Sequence, residues 1–362
     1  MLISLIGILL TIFLIIGIHE SGHFFIARAL GIKVLRFSIG FGKTLFRWHD
    51  KKGTEYVFAA IPLGGYVKML DENEGTVKEE ERHLAYNRQP AYKKLAVVIA
   101  GPLANLLFAF LLYWLLFMVG FTSIVPIIGS VTPHSIAANA GLKPQQEIIR
   151  VDNTPTTSWM SIAIRILTHT GETDQIHIST VPFNHNTATP DQYFLDLRSW
   201  HMDELKPDPL TSLGISPYFP VVLPKNILRY NQYGPITALS HALQNTYDFT
   251  YMNFIVLGKL FTGKVSLKSI GGPISIFANA GAALNQGITA FLSFLAFISI
   301  SIGVINILPI PGLDGGHILF QLIELITRRP VSLKMQNLLY RLGFIILILV
   351  IVQAVTNDIL RL

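Results

Sequence analysis

Gly17-Ile18-His19-Glu20-Ser21-Gly22-His23 decides how the rest of this chain is read. It is an HExxH motif set in an apolar run. No charged residue precedes it, and Phe24-Phe25-Ile26-Ala27 resume the apolar pattern behind it. Histidines at i and i+4 share one helical face and can bind one zinc ion, leaving Glu20 as a general base. Ionisable groups at membrane depth are costly and usually functional. A working site also needs a third ligand, water and a path for substrate.

Of the 362 residues, 51% are hydrophobic and 14% charged, and the mean hydropathy is +0.49. Soluble chains carry about 25% charged residues, so the composition points to an integral protein of the lipid bilayer. The net charge of +6 raises nucleic acid as a partner. The placement of the cations argues for membrane orientation and against nucleic acid. Cysteine is absent, which excludes disulfides and a thiolate zinc site. Any metal must use His, Asp or Glu.

Residues 1–30 read as a first membrane helix carrying the motif. No basic region precedes the apolar run, so a retained span is expected rather than a cleaved signal peptide. Arg28 marks the far interface, which puts His23 and His19 about 8–14 Å inside at 1.5 Å per residue. Residues 31–94 change character. Short runs such as Val34–Gly40, Thr44–Trp48 and Glu55–Ile61 flank the turn Asp50-Lys51-Lys52-Gly53 and read as β-hairpins. Ile61-Pro62-Leu63-Gly64-Gly65-Tyr66 is too apolar for an ordinary exposed loop. It reads either as a β-element dipping into the bilayer or as a soluble hairpin. A polar surface segment follows to residue 94.

Residues 95–121 form a second membrane helix. Gly101-Pro102-Leu103-Ala104-Asn105 offers small residues for close helix approach, and Asn105 reads as a packing contact. Residues 122–200 alternate short strands and helices. Ser135 to Leu142 and Glu147 to Asp152 resemble a PDZ domain of the protease-associated bacterial kind. Gln146 and Glu147 stand where that pattern has Gly and Asp, and Asn153 where it has Gly. Asn tolerates the left-handed conformation, so the departures weigh on peptide binding more than on fold. Residues 201–287 form a connector and an amphipathic aromatic segment, either on the membrane surface or packed on the preceding unit. Residues 288–327 hold a third membrane helix broken at Pro309 and Pro311. Residues 338–356 form the fourth.

The expected fold class is therefore a multi-pass α-helical membrane protein with four transmembrane helices. A membrane-associated β-hairpin element and an inserted α/β PDZ-like domain complete it. From Arg28 to Lys94 there are 13 Lys and Arg in 67 residues, whereas the 121–285 insert balances 10 against 10 Asp and Glu. The basic side faces the cytosol, so the motif end of the first helix is cytosolic and the insert lies outside.

Asp314 lies beside the broken third helix, where a buried carboxylate wants a cation. Two His, one carboxylate and water make a catalytic zinc set. His317 is the rival third ligand, and Asp314 is favoured because a buried carboxylate most needs compensation. Zinc would polarise the scissile carbonyl and lower the pKa of its water. Glu20 would take the proton and return it to the leaving amine.

With both halves assembled, the chain resembles the site-2 proteases, intramembrane zinc metalloproteases with HExxH and a distant N-x-x-P-x-P-x-L-D-G. The second motif stands here as Asn306-Ile307-Leu308-Pro309-Ile310-Pro311-Gly312-Leu313-Asp314-Gly315. Gly40-Phe41-Gly42, Pro62 to Lys68 and Gly101 to Asn105 also match. The group closest in pattern belongs to Gram-negative inner membranes. The resemblance implies Zn2+ on His19, His23 and Asp314, with Glu20 catalytic. It implies substrate contacts at Asn306, Pro309, Pro311, Gly64 and Gly65, with residues 33–70 aligning substrate as a strand. It also implies single-span membrane substrates of the anti-sigma-factor type, in an envelope stress response, and signal-peptide remnants. That group's best-studied members carry two tandem periplasmic PDZ units, and one is visible here, its ligand unknown. Two rivals remain: a catalytically silent PDZ scaffold with a structural metal, and a metal transporter. An intact Glu20 argues against the first, and polar residues clustered at one depth argue against the second.

Overall fold

The structure, a computed structural model, describes residues 2–183, 189–203, 208–220 and 224–361. Parts of the expected β-rich unit and connector, at 184–188, 204–207 and 221–223, lie outside these residues. Two compact units emerge, one from Met1–Trp114 with Ser275–Val352, the other from Leu115–Ile274 with Gln353–Leu362.

In chain order, helix α1 spans Leu2–Ala29. Strands β1 (Val34–His49) and β2 (Glu55–Met69) follow, then α2 (Ala91–Val119). The second unit continues with β3 (Phe121–Ile124), β4 (Ile128–Val131), α3 (Ile136–Asn139), β5 (Gln146–Val151) and β6 (Thr154–Pro155). Next come α4 (Trp159–Thr168), β7 (Gln175–Pro182), β8 (Asp191–Asp196), α5 (Pro209–Leu213), β9 (Ile215–Pro217), β10 (Leu228–Asn231) and α6 (Pro235–Phe261). The chain closes with α7 (Pro273–Gln286), α8 (Ile288–Ile307), α9 (Asp314–Thr327) and α10 (Leu333–Arg361).

Among the described residues, four helices are long and apolar enough to cross a membrane: α1, α2, α8 and α10. At 1.5 Å per residue, each reaches about the 30 Å of a hydrocarbon core. Within α1 the apolar residues are spread around the whole circumference, which suits a helix meeting lipid as well as protein. Glycine permits its closest approaches. A β-carbon on Gly22 would lie 2.2 Å from the Ala100 carbonyl of α2, so the two backbones touch there.

The β-element is more folded than a plain hairpin. Residues 44–49 pair antiparallel with 55–59 across the expected turn, and Val34 to Ile39 pair antiparallel with 65–69. Arg36 to Ile39 also run alongside Glu55 to Phe58 in the register 36↔55 through 39↔58. Each long strand therefore doubles back at its middle, giving four segments in the order 44–49, 55–59, 34–39, 65–69. The corners fall at Gly40 (φ 94°), Gly42 (φ 82°) and Gly64 (φ 150°), where only glycine is at ease. Phe41, Leu45, Phe46, Trp48 and Ile61 are exposed on it. Toward α1, Val34 joins Phe24, Ala27, Ile32 and Val97 in a buried cluster.

The second unit is built on a four-stranded antiparallel sheet in the order β6-β5-β7-β8, with β4 pairing β9 and β3 pairing β10. Its core is Ile148 and Val151 of β5, Ile176 and Ile178 of β7, Leu195, and Ile162 and Ile166 of α4. Alternation along β7, an irregularity between Ile148 and Arg150 in β5 and i, i+4 spacing along the helix put those residues on one side. Ser158 and Ser161 form a capping box at the start of α4. Asn153 takes the left-handed conformation its chemistry allows, at φ 63°. Gln145 is also left-handed (φ 65°), one residue before the pair that departs from the sequence pattern, as are His134 (φ 59°) and Asp152 (φ 47°). Gln146 is buried instead, donating to the Tyr193 hydroxyl and accepting from the Lys143 amide.

The structure departs from the sequence expectation in two stretches. The unit does not stop near residue 200, because β9 pairs with β4. Three residues are too few to register as a strand from local pattern. The segment expected to be connector also contains α7, whose Ala-, Asn- and Gly-rich sequence carries little periodicity. Gly281 of α7 lies against Ser4 of α1 at a distance that leaves no room for a side chain.

In the second unit, His169 follows α4 and its Nε2 lies 2.6 Å from Asp152 Oδ2. That hydrogen bond raises the imidazole above its ordinary value near 6.5, outweighing burial. Burial alone would push the Asp152 carboxyl up; bonds from His169 and the His177 amide outweigh it and hold it low. The sign follows: the His169 contribution is complete below about pH 6.5 and is lost as pH rises through the raised value. Asp152→Asn should therefore destabilise the insert by about 1–3 kcal/mol near pH 5.5 and by much less near pH 9. Pulse proteolysis at both pH values measures this, and an equal loss at both would refute it.

Candidate metal centre

Three ligand-bearing atoms converge where α1, α2 and α9 meet. His19 and His23, one turn apart on α1, bring their Nε2 atoms to 3.3 Å of each other. Asp314 Oδ2 lies 3.0 Å from the first and 3.4 Å from the second. The imidazole rings stand nearly perpendicular, at 84°, so both edges turn toward the carboxylate.

His23 and Asp314 are held from behind, whereas His19 Nδ1 is buried with no hydrogen-bond partner among the described residues. His23 Nδ1 lies 2.8 Å from the carbonyl oxygen of Val97 on α2. A carbonyl can only accept, so Nδ1 carries the proton and the Nε2 lone pair is free to coordinate. Gly101, one turn further along α2, leaves the space that the rings fill. A β-carbon there would sit 2.2 Å from His23 Nε2 and 2.9 Å from His19 Cε1. Asp314 is the first residue of α9 and follows the break at Leu308–Leu313. Pro309 and Pro311 have no N–H and cannot extend α8. Gly315 and Gly316 let the new helix start in contact with that segment: β-carbons would meet the Leu308 carbonyl at 1.7 Å and Pro311 Cα at 2.8 Å.

The geometry suits a metal ion. A tetrahedral zinc with ligands at about 2.0–2.1 Å has ligand–ligand edges of about 3.3–3.4 Å, against the observed 3.0, 3.3 and 3.4 Å. Asp314 Oδ2 is buried and makes no hydrogen bond among the described residues. A buried carboxylate oxygen aimed at two imidazole lone pairs is unfavourable unless a cation lies between them.

Glu20 is buried on α1 between the two histidines in sequence. Gly65 of β2 packs directly on it, since a β-carbon there would lie 2.8 Å from Glu20 Cγ and 3.0 Å from Ile16. Gly65 opens the 65–69 segment, which has a ladder partner on one side only among the described residues. The corner residue Gly64 lies against the Phe41 ring. Asn306 is half-buried in the last turn of α8; Pro309 is exposed and Pro311 half-buried in the break. Those three share the segment that delivers Asp314. His317 points elsewhere: its Nδ1 lies 3.0 Å from the Tyr340 hydroxyl of α10, outside the converging set.

Sequence reasoning did not find the Val97 carbonyl, a backbone group with no residue signature, or the pairing of Tyr340 with His317 across 23 residues. Asn105 is fully buried beside Gly303 of α8, and its own carbonyl accepts from Ser299 Oγ at 2.8 Å. Its side-chain amide has no hydrogen-bond partner among the described residues.

Comparison with known proteins places the chain in a family. The model of peptidase family M50 matches residues 7–350. "Protease RseP" of Yersinia pestis is 35% identical, with 99% of each chain covered. "Regulator of sigma-E protease RseP" of Escherichia coli (strain K12) is 35% identical over 96% of each. A "Putative zinc metalloprotease" of Vibrio cholerae is 32% identical over 99% of each. The Yersinia alignment runs over 448 positions against 362 residues here, leaving at least 86 positions where this chain has none. With its four membrane-length helices and its histidine–carboxylate centre, the chain belongs to peptidase family M50 and is a multi-pass membrane metalloprotease of the RseP type.

Proposed function

We propose that the chain hydrolyses peptide bonds inside the membrane segments of single-span proteins, with zinc held by His19, His23 and Asp314. The observation that carries this is the convergence of Nε2, Nε2 and Oδ2 at 3.0–3.4 Å on a membrane-length helix, with Glu20 in the same turn. When bound, zinc supplies Lewis acidity to a peptide carbonyl and to water. The chain does the rest. Val97 holds His23 in the coordinating tautomer, and the broken segment 308–313 presents Asp314. Glu20 accepts the proton from the attacking water and returns it to the leaving amine. Packing against Gly65 excludes bulk solvent from its stem.

A peptide bond inside a helix is shielded by its own hydrogen bonds, so the substrate must be unwound. The free side of 65–69 supports strand addition as the way it is held. A chain paired there would pass beside Glu20, and Asn306, Pro309 and Pro311, on the segment that delivers Asp314, are the further substrate contacts we propose. Gly65 keeps that edge clear of a side chain.

The relatives' names favour an anti-sigma factor as substrate in an envelope stress response, and signal-peptide remnants are a second substrate class. The location we infer is a Gram-negative inner membrane. The excess of Lys and Arg over residues 28–94 supports a cytosol-facing site and a periplasmic insert. The insert reads as one PDZ-like unit, which its antiparallel sheet, its left-handed Asn153 and the shortened alignment all favour.

Two results would decide the reading. Glu20→Gln in the purified, reconstituted protein should lower cleavage of a single-span substrate by about 10²–10⁴-fold with zinc content unchanged. Asp314→Asn should lose both zinc and cleavage. Undiminished cleavage by Glu20→Gln would overturn the mechanism. Gly101→Val should lose zinc because the side chain occupies the imidazoles' space, whereas Gly65→Val should keep zinc and slow cleavage. If Gly65→Val cleaves at the parental rate, the strand-addition model fails.

A further inference from the structure

One face of α2 carries a third contact that neither the motifs nor the chemistry above use. Lys94, Val97 and Gly101 stand at i, i+3 and i+7, which places them on one side of the helix. Gly101 makes room for both imidazoles, and the Val97 carbonyl orients His23. Lys94, one turn before Val97, reaches α9 instead. Its ammonium lies 2.9 and 2.7 Å from the two carboxylate oxygens of Glu324.

Both partners are shielded from water, Lys94 at 5% exposure and the Glu324 side chain at 20%. Glu324 lies ten residues beyond Asp314 on α9, about 15 Å along the helix. The first turn of α9 is tied to α10 through His317 and Tyr340; the last turns are tied to α2 through Glu324. A one-turn slip of α9 would move Glu324 by about 5.4 Å and leave a buried ammonium without a counter-charge, which is strongly disfavoured. Buried ion pairs add little net stability, but they discriminate well between registers. A metal site, in turn, tolerates errors of only about 0.5 Å in its ligands.

We propose that Lys94 and Glu324 are a positioning pair. By fixing the register of α9 on α2, they bring Asp314 Oδ2 to the two imidazole nitrogens that the same face of α2 accommodates and orients. The proposal rests on the zinc-centre reading above, and its test separates the two.

The full-length chain, purified in detergent and stripped of metal, is titrated with Co2+, whose visible absorption reports the coordination geometry. Helical circular dichroism is recorded for every variant. Glu324→Gln and Lys94→Met should each weaken Co2+ binding by about tenfold or more and alter the visible bands. The exchanged pair, Lys94→Glu with Glu324→Lys, should recover the parental affinity and spectrum. Single variants that bind Co2+ like the parent would overturn the proposal. So would an exchanged pair that keeps its helicity but binds no better than the single variants. If a single variant does not fold, Glu324→Asp replaces it: a weakened affinity supports the pair and an unchanged one refutes it. Asp314→Asn is the independent control. If it retains parental Co2+ affinity, the zinc-centre reading fails whatever the pair does.

Discussion

A carboxylate facing two imidazoles in an apolar setting is the interaction on which the rest of this molecule depends. Placing an ionised carboxylate at membrane depth costs about 2.5–3.5 kcal/mol, and here one lies within 3.0–3.4 Å of two imidazole nitrogens. Like-acting lone pairs do not compensate each other; a divalent cation does. This requirement explains the chain's unusual local features. The first helix carries its polar residues at one depth. The third apolar stretch breaks so that a carboxylate can begin a new helix. The partner helix has a glycine where any side chain would collide with the ligands.

Glycine has two distinct uses around the site. At Gly101, Gly315 and Gly65 the issue is space: the backbone of one element lies against a ring, a carbonyl or the Glu20 side chain. At Gly40, Gly42 and Gly64 the issue is conformation, since positive φ lets two long strands fold into four segments. The first kind brings helices and sheet close enough for ligands on separate elements to meet. The second presents beside Glu20 a strand edge with no ladder partner among the described residues. A residue with a β-carbon at either kind of position would act by moving an element, not by removing a chemical group.

Helix α2 adds no residue to the converging set, yet it packs on both histidines of that set. A single face of it holds the Val97 carbonyl, the Gly101 gap and the Lys94 ammonium. Metal centres depend on such outer contacts nearly as much as on their ligands. The insert obeys simpler rules, with alternating strand residues and one amphipathic helix around an aliphatic core. Among its described residues a dense charge cluster surrounds the half-buried His169.

Much of this was legible in the residues. Spans α1, α2, α8 and α10 could be read from uninterrupted apolar runs, because in a bilayer every backbone group must be satisfied within the helix. The ligand candidates could be read because His19, His23 and Asp314 are out of place in such runs, and the break because Pro309 and Pro311 cannot continue a helix. Beyond reach were contacts between stretches distant in sequence: the Val97 carbonyl on His23, the β9 strand of three residues, the doubling of β1 on β2, and the Lys94–Glu324 pair across 230 residues. The sequence by itself determined which side chains could bind a metal and where the chain must bend, since those follow from composition and local sterics. Only the tertiary structure decided that Asp314 and not His317 faces the histidines. That choice turns on a helical register, and contacts far along the chain fix a register where no local pattern can.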